Sequence, residues 1–268
     1  MKKNIFNKLG LFGLLLGAMA STSSCKKDLP AADVDPNAQA FVAVHNFAIR
    51  VPSNITVNLN STNLLVLGAP SSIAYNGSLS GPYAGVTPGS TTVAVRTLIS
   101  GVVGAADLAS RTVTVGAASA TSFFAYDTLS PTNTIKLLAL NNDTKVPAAG
   151  TANVRMLNFV PNVPSSTITL TRTADGFGVA ATGTTTFSNV NYVGSVATPN
   201  ETALSAYTNI PSGTYTLTVT VGGTSVFSTA AFTVRDGKSY SWMLRGLAAG
   251  HPNIGTFTLG GATILHNP

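Results

Sequence analysis

Thr214-Tyr215-Thr216-Leu217-Thr218-Val219-Thr220-Val221 alternates without a break between hydroxyl-bearing and apolar side chains. Successive side chains of a strand point to opposite faces, so Tyr215, Leu217, Val219 and Val221 share one face and the threonines the other. This is the pattern of a half-buried strand, and threonine and valine both suit a pleated surface. Further along, Asp236-Gly237 sits between Phe232-Thr233-Val234 and Tyr240-Ser241-Trp242 and reads as a hairpin turn. No helical period appears after residue 40. Short strands with regular turns predict an all-β chain, built as β-sandwiches rather than as a parallel sheet.

The sequence also repeats. Val42-Ala43-Val44-His45-Asn46-Phe47 matches Val154-Arg155-Met156-Leu157-Asn158-Phe159 at an offset of 112, which also carries Val51-Pro52-Ser53 onto Val163-Pro164-Ser165. Tyr83-Ala84-Gly85-Val86-Thr87-Pro88-Gly89 matches Tyr207-Thr208-Asn209-Ile210-Pro211-Ser212-Gly213 at offset 124, and Thr114-Val115 matches Thr233-Val234 at offset 119. A drifting offset places insertions in the loops between strands. Two tandem immunoglobulin-like sandwiches are expected, over residues 40–144 and 151–268, with Lys145–Gly150 as a hinge.

Cys25 is the only cysteine in 268 residues. Lys2, Lys3 and Lys8 precede an apolar stretch from Leu9 to Ala20, then Ser21-Thr22-Ser23-Ser24-Cys25. The stretch is too short to cross a hydrocarbon core of about 30 Å as a helix, and its flanks fit a secretory signal. Thr22-Ser23-Ser24-Cys25 resembles a lipobox, with Thr22 where leucine is usual. Residues 1–24 are therefore expected to be a cleaved lipoprotein signal peptide, Cys25 the lipidation site, and residues 25–39 a tether. A membrane partner follows, reached through the N-terminal lipid. Without the signal lysines, 12 basic residues face 9 acids, so the net charge falls from +6 to +3. No basic cluster with interleaved aromatics remains, and nucleic acid is not an expected partner. Charged residues make up 9 % of the chain against about 25 % in average soluble domains, with hydroxyls taking their place.

Candidate chemistry is sparse. Gly176-Phe177-Gly178-Val179-Ala180-Ala181 satisfies a dinucleotide-loop spacing, but Ala174-Asp175-Gly176 reads as a turn between strands and no helix follows. Asp236-Gly237-Lys238-Ser239 contains Gly-Lys-Ser but has Phe232 where the phosphate loop needs its first glycine. Asp33-Val34-Asp35-Pro36-Asn37 begins like a calcium loop, with Ala38 and Val44 at positions that need glycine and a bidentate acid. His45, His251 and His266 are scattered, and no carboxylate pair or nucleophile elbow is visible. No metal, cofactor or catalytic residue is assigned, and an enzyme is not expected. Trp242 falls on Phe123 at offset 119, which suits a shared core position better than a sugar platform. Asn46 and Asn158, also shared, suit turn-holding side chains.

Val154-Arg155-Met156-Leu157-Asn158-Phe159-Val160-Pro161-Asn162-Val163-Pro164 resembles the opening motif of the family known as domain of unknown function 4397. Leu140-Asn141-Asn142-Asp143 with Pro147 resembles the handover from one such domain to the next, and Ser-Ser-Cys-Lys-Lys-Asp resembles the start of surface lipoproteins of the Bacteroidota. Two copies are implied, the first diverged at Ala43 and Ile49. The resemblance implies a β-sandwich and an envelope location, the outer membrane, with periplasmic or external exposure left open because Asp28 stands alone after Cys25. It brings no catalytic or binding residues. Asp127-Thr128-Leu129 resembles an O-glycosylation site of that group. The leading expectation is a non-enzymatic envelope lipoprotein presenting tandem sandwiches for binding, structural or adhesive contacts, with a protein or glycan partner at the cell surface. The alternatives are a glycan-binding accessory of an outer-membrane uptake system, with Tyr75, Tyr83, Tyr192 and Tyr207 as exposed platforms, and self-assembly through strand edges.

Overall fold

The structure, a computed structural model, describes residues 39–266 apart from 67, 80–82, 250 and 252–256. Two sheets form from the first half. β1 (Ala40–Asn46), β6 (Ala120–Tyr126) and β7 (Lys136–Asn142) run in the order β7-β6-β1, with β3 (Ala84–Val86) and the short ladder Gly77–Ser78 on the far side of β1. Opposite lie β2 (Asn54–Leu59), β4 (Gly89–Ile99) and β5 (Ala109–Val115), in the order β5-β4-β2. The second half repeats the plan. β8 (Thr151–Asn158), β11 (Thr208–Pro211), β15 (Ser239–Arg245) and β16 (Gly260–Leu265) run β11-β8-β15-β16. Facing them, β9 (Ser165–Ala174), β10 (Thr184–Asn191), β12 (Gly213–Val221) and β13 (Thr224–Ser228) run β10-β9-β12-β13, with β14 (Phe232–Val234) also beside β12. The chain is all-β, a pair of β-sandwiches.

Each half contains one parallel pair, and the registers coincide. β1 runs parallel to β6 with Val44 opposite Phe123, and β8 parallel to β15 with Met156 opposite Trp242. These are the residues that the offsets of 112 and 119 bring together. The repeated Gly89 and Gly213 open β4 and β12 with φ of 129° and 153°, and a Cβ at Gly213 would lie 2.2 Å from the Ala174 carbonyl. Only glycine fits that turn.

Three apolar cores result. Val42, Val44, Ile55, Val57, Val93, Val95 and Phe123 fill the first sandwich, and Val154, Ile168, Leu170, Tyr215, Leu217, Val219 and Trp242 fill the second. The alternation from Tyr215 to Val219 thus points inward as read. The third core lies between the sandwiches: Phe47, Phe124, Tyr126, Leu138 and Leu140 meet Leu157, Phe159, Tyr192, Val193 and Met243. β6 is consequently buried on both faces, Phe123 and Ala125 entering the first core and Phe124 and Tyr126 the third. Phe47 and Phe159, equivalent in the two repeats, stack with centroids 5.2 Å apart and planes 10° apart.

Three expectations are corrected. Lys145–Gly150 is not a hinge between separate bodies, because residues 37–268 form one compact unit and the third core ties its halves. Asp236-Gly237 does not close a hairpin: β14 pairs with β12 and β15 with β8, so the turn crosses between sheets. Its polar groups serve that crossing, Asp236 accepting from the Gly150 amide and the Gly237 amide donating to the Thr151 carbonyl. One helical turn, α1 (Glu201–Ser205), interrupts the strands, with the Asn200 side chain accepting from the Ala203 amide as its N-cap.

Trp242, the sole tryptophan, reports on the second sandwich alone. Phe47→Ala, in the first half, should nonetheless lower the stability read by Trp242 fluorescence in denaturant by about 3–5 kcal/mol, in a single transition. A Trp242 transition unmoved by this change would contradict the shared core.

Candidate functional site

Beside the third core runs a chain of buried polar groups. Arg155 is only 2 % exposed, and among the described residues no carboxylate lies within ion-pair distance of it. Its Nε donates to Ser241 Oγ at 2.5 Å, Nη1 to the Asn141 carbonyl at 2.8 Å and Nη2 to Asn142 Oδ1 at 2.6 Å. The Tyr207 ring covers its guanidinium, 4.9 Å from centroid to Cζ. A buried cation survives only when its donors are met, and here neutral acceptors and a π face meet them. Asn141 and Asn142 end β7 of the first sandwich, so Arg155 of the second holds the two together. Asn142 Nδ2 donates on to Tyr83 Oη and Ser122 Oγ. Tyr83 pairs with His266 Nδ1 at 2.9 Å, whose Nε2 pairs with Ser241 Oγ at 2.7 Å. His45 closes the other end, bonded to Ser122 Oγ at 3.2 Å and Ser78 Oγ at 2.7 Å.

Ser241 beside His266 has the spacing of a nucleophile and its base, but the environment defeats that chemistry. Burial, reinforced by the charge on Arg155 and by His45, depresses the His266 pKa to about 2. Burial, and after it Arg155, depresses His45 to about 3. Neither imidazole takes a proton near neutrality, and a useful base needs a pKa close to the working pH. The network therefore joins elements instead of moving protons.

The surface offers two clefts on either side of the pair Arg111 Nη2–Glu201 Oε2, 2.7 Å long. A polar one of about 280 Å³ is lined by Thr114, Thr121, Asn141, Glu201, Thr202 and Ser205. A wider one of about 470 Å³ is bounded by Arg111, Tyr126, Lys136 and Pro199 among others. α1 walls the first by lying along the β7 edge, where Glu201 Oε1 accepts from the Ala139 amide and Ser205 Oγ from the Asn141 amide. Side chains of the second sandwich thus occupy edge amides of the first, which works against strand addition at this edge.

Cys25, residues 1–24, most of the tether and the Asp33 stretch lie outside the described residues. The four tyrosines weighed as sugar platforms are not exposed. Tyr83 and Tyr207 belong to the polar chain, Tyr192 packs on Tyr126 across the third core, and Tyr75 meets Phe257 edge-on at 4.9 Å. Burial raises all four phenolic pKa values, Tyr83 to about 12. Trp242 is core, as its repeat partner implied. Asn46 and Asn158 hold turns, accepting from the Ala48 and Val160 amides. Gly176–Gly178 turns between β9 and β10 with no helix after it. Asp127 is buried and committed: Lys136, the Thr128 amide and Asn133 outweigh burial and hold its carboxyl below the usual range. Arg155, Ser241, Asn142 and Glu201 carried no recognisable motif; Arg155 signalled only as a charge inside an apolar repeat strand.

By geometry, the class is an all-β protein of two sandwiches fused through their inner sheets. The family model described as a domain of unknown function (DUF4397) matches residues 40–169 as a single match. That span takes in the first sandwich, β8 and the start of β9. No curated protein matches the chain. Among solved structures, the Bacillus anthracis TIE protein is similar at 11 % identity over 79 % of this chain, with a TM-score of 0.22. A leucine-rich repeat protein from Bacteroides thetaiotaomicron is similar at 14 % identity over 76 %, TM-score 0.19. The chain covers only 34 % and 26 % of those two proteins. A candidate cell adhesion protein from Bacteroides ovatus is similar at 9 % identity over 83 % of this chain and 95 % of its own, TM-score 0.22.

The histidines give a pH test. Their folded pKa values lie below the ordinary 6.5, so the unfolded chain binds protons that the native one refuses. The stability they support is complete above pH 6.5 and is lost as pH falls toward 3. Between pH 6 and 5, above the carboxylate range, each imidazole should remove about 1 kcal/mol. His45→Leu, which installs the residue of the other repeat, should halve that loss in urea titrations. An unchanged slope would show that His45 is not held neutral.

Proposed function

We propose that this chain is a non-enzymatic lipoprotein of a bacterial cell envelope, with two sandwiches acting as one rigid body for adhesive or structural contacts. The observation that carries the reading is the shared aromatic core between the sandwiches. A body of this kind transmits position and load between an anchor and a partner, whereas a hinged pair would not. Supporting it, the groups with catalytic potential, Ser241, His266, His45 and Arg155, are buried in one hydrogen-bonded chain, which His45 joins through Ser122 and Asn142. The lipobox-like Thr22–Cys25 supplies the anchor in this reading, with the outer membrane as its site and a protein or glycan as partner. Cys25→Ala should abolish labelled-palmitate incorporation and release the protein from the membrane fraction. A variant that still fractionates with membrane and takes up as much palmitate as wild type would overturn the anchor.

A second reading, glycan binding, is favoured by the hydroxyl- and amide-lined cleft beside α1. It predicts glycan-array signals that Thr202→Trp removes by filling that cleft, by at least tenfold. An array without signal above background would eliminate this reading.

A further inference from the structure

Phe177 is 96 % exposed, an unusual position for a phenyl ring, since every other described Phe, Tyr or Trp is at least partly buried. The loop that carries it is firmly built. Asp175 Oδ1 accepts from the Phe177 and Val179 amides, both at 2.9 Å, and the Asp175 amide donates to the Val179 carbonyl at 2.8 Å. Val179, 63 % exposed, stands beside Phe177 on the same turn. An ordered loop that holds two apolar side chains out into water calls for a partner.

The fold fixes where this tip points. Ala174 at the base of the loop is opposite Thr214 at the start of β12. Next to it, the Ser212 amide donates to the Gly150 carbonyl, at the end of the connection between the sandwiches. That connection leaves Asn142, which is opposite Ala120, and the turn before Ala120 binds the Gln39 carbonyl through the Ala118 amide. Gln39, the connection and the Phe177 loop therefore share one end of the molecule. On the same end Val146 is 77 % exposed beside the exposed Lys145, and Arg235 is exposed too. Three carboxylates stand at the same end, Asp143, Asp175 and Asp236, each accepting from a backbone amide and keeping its charge, so acidic and basic side chains are mixed there. Ile99 and Val102, also exposed, sit at the opposite end of β4 from its Gly89 start.

We infer that the end carrying Phe177, Val179 and Val146 rests on the lipid surface, with the Phe177 ring seated among the headgroups. The inference depends on the anchored reading, because Cys25 is what brings this end to the bilayer. However they are arranged, the 14 residues from Cys25 to Gln39 span at most about 50 Å, so the end bearing Gln39 stays within that reach of the membrane and is free to touch it. An aromatic tip flanked by exposed valines is suited to the interfacial layer, where apolar rings enter among the headgroups. The occupant is a lipid surface and not a protein groove, since the features share one end with the chain's route to its anchor.

The test places tryptophan at 177 or at 102 in the full chain, reconstituted into vesicles of phosphatidylethanolamine and phosphatidylglycerol with or without brominated acyl chains. Bromine quenches only rings that reach the bilayer, and Trp242 is buried and contributes a constant background. Phe177→Trp should be quenched at least twofold more than Val102→Trp. Equal quenching at the two positions would overturn the inference. Mass analysis of the N-terminal peptide reads the acylation of Cys25 separately. If no acyl group is found, the same proteins are mixed with excess vesicles and compared in the same way. Stronger quenching at 177 then supports the lipid-facing end without the anchor, and equal quenching overturns it.

Discussion

Two phenylalanines at equivalent places in a repeated sequence lie face to face, and the arrangement of the molecule depends on that stack. Phe47 and Phe159 follow the turn-holding asparagines Asn46 and Asn158, whose side chains fix the chain just where each first strand ends. Phe124 and Tyr126 pack against Phe159 at 5.3 and 5.8 Å, adding a second ring layer. Pairs of this geometry contribute about 0.5–1.5 kcal/mol beyond the area they bury. Once these rings meet, the inner sheet of each sandwich is covered on both faces, which is why β1 and β6 are almost wholly buried.

The polar chain beside the stack solves a problem that the stack creates. Pressing two inner sheets together buries the Arg155 guanidinium at the margin of the seam, next to the end of β7, where Asn141 and Asn142 remain partly exposed. Arg155 reaches across to the Asn141 carbonyl and the Asn142 side chain, while Tyr83 crosses in the opposite sense to His266. An apolar seam would hold the halves at many angles; hydrogen bonds of fixed length select one. The divergence of the copies makes sense in this light. His45 and Leu157 are equivalent, yet one enters the polar chain and the other the aromatic core.

Much of the fold was legible because strand periodicity and repeat offsets are local signals. The alternation around Leu217 pointed inward as read, and the offsets predicted that Phe123 and Trp242 would share an environment. What sits between the copies was not legible by alternation. The run Ser122-Phe123-Phe124-Ala125-Tyr126 does not alternate, and that absence was itself the sign of a strand covered on both faces. Asp236-Gly237 misled because a tight turn has the same residues whether it joins neighbours or crosses sheets. The tyrosines misled because a polar tip suits a buried hydrogen bond as well as a sugar. Arg155 had no motif, since its partners come from residues 13, 14 and 86 positions away.

The central claim is that the two sandwiches share one core and one stability. Native-state hydrogen exchange tests it most directly, by following amides of β6 in the first half and of β15 in the second. The account predicts that the slowest amides of both strands open with one common free energy and one denaturant dependence. Two separate plateaus, with β6 opening while β15 stays protected, would contradict it.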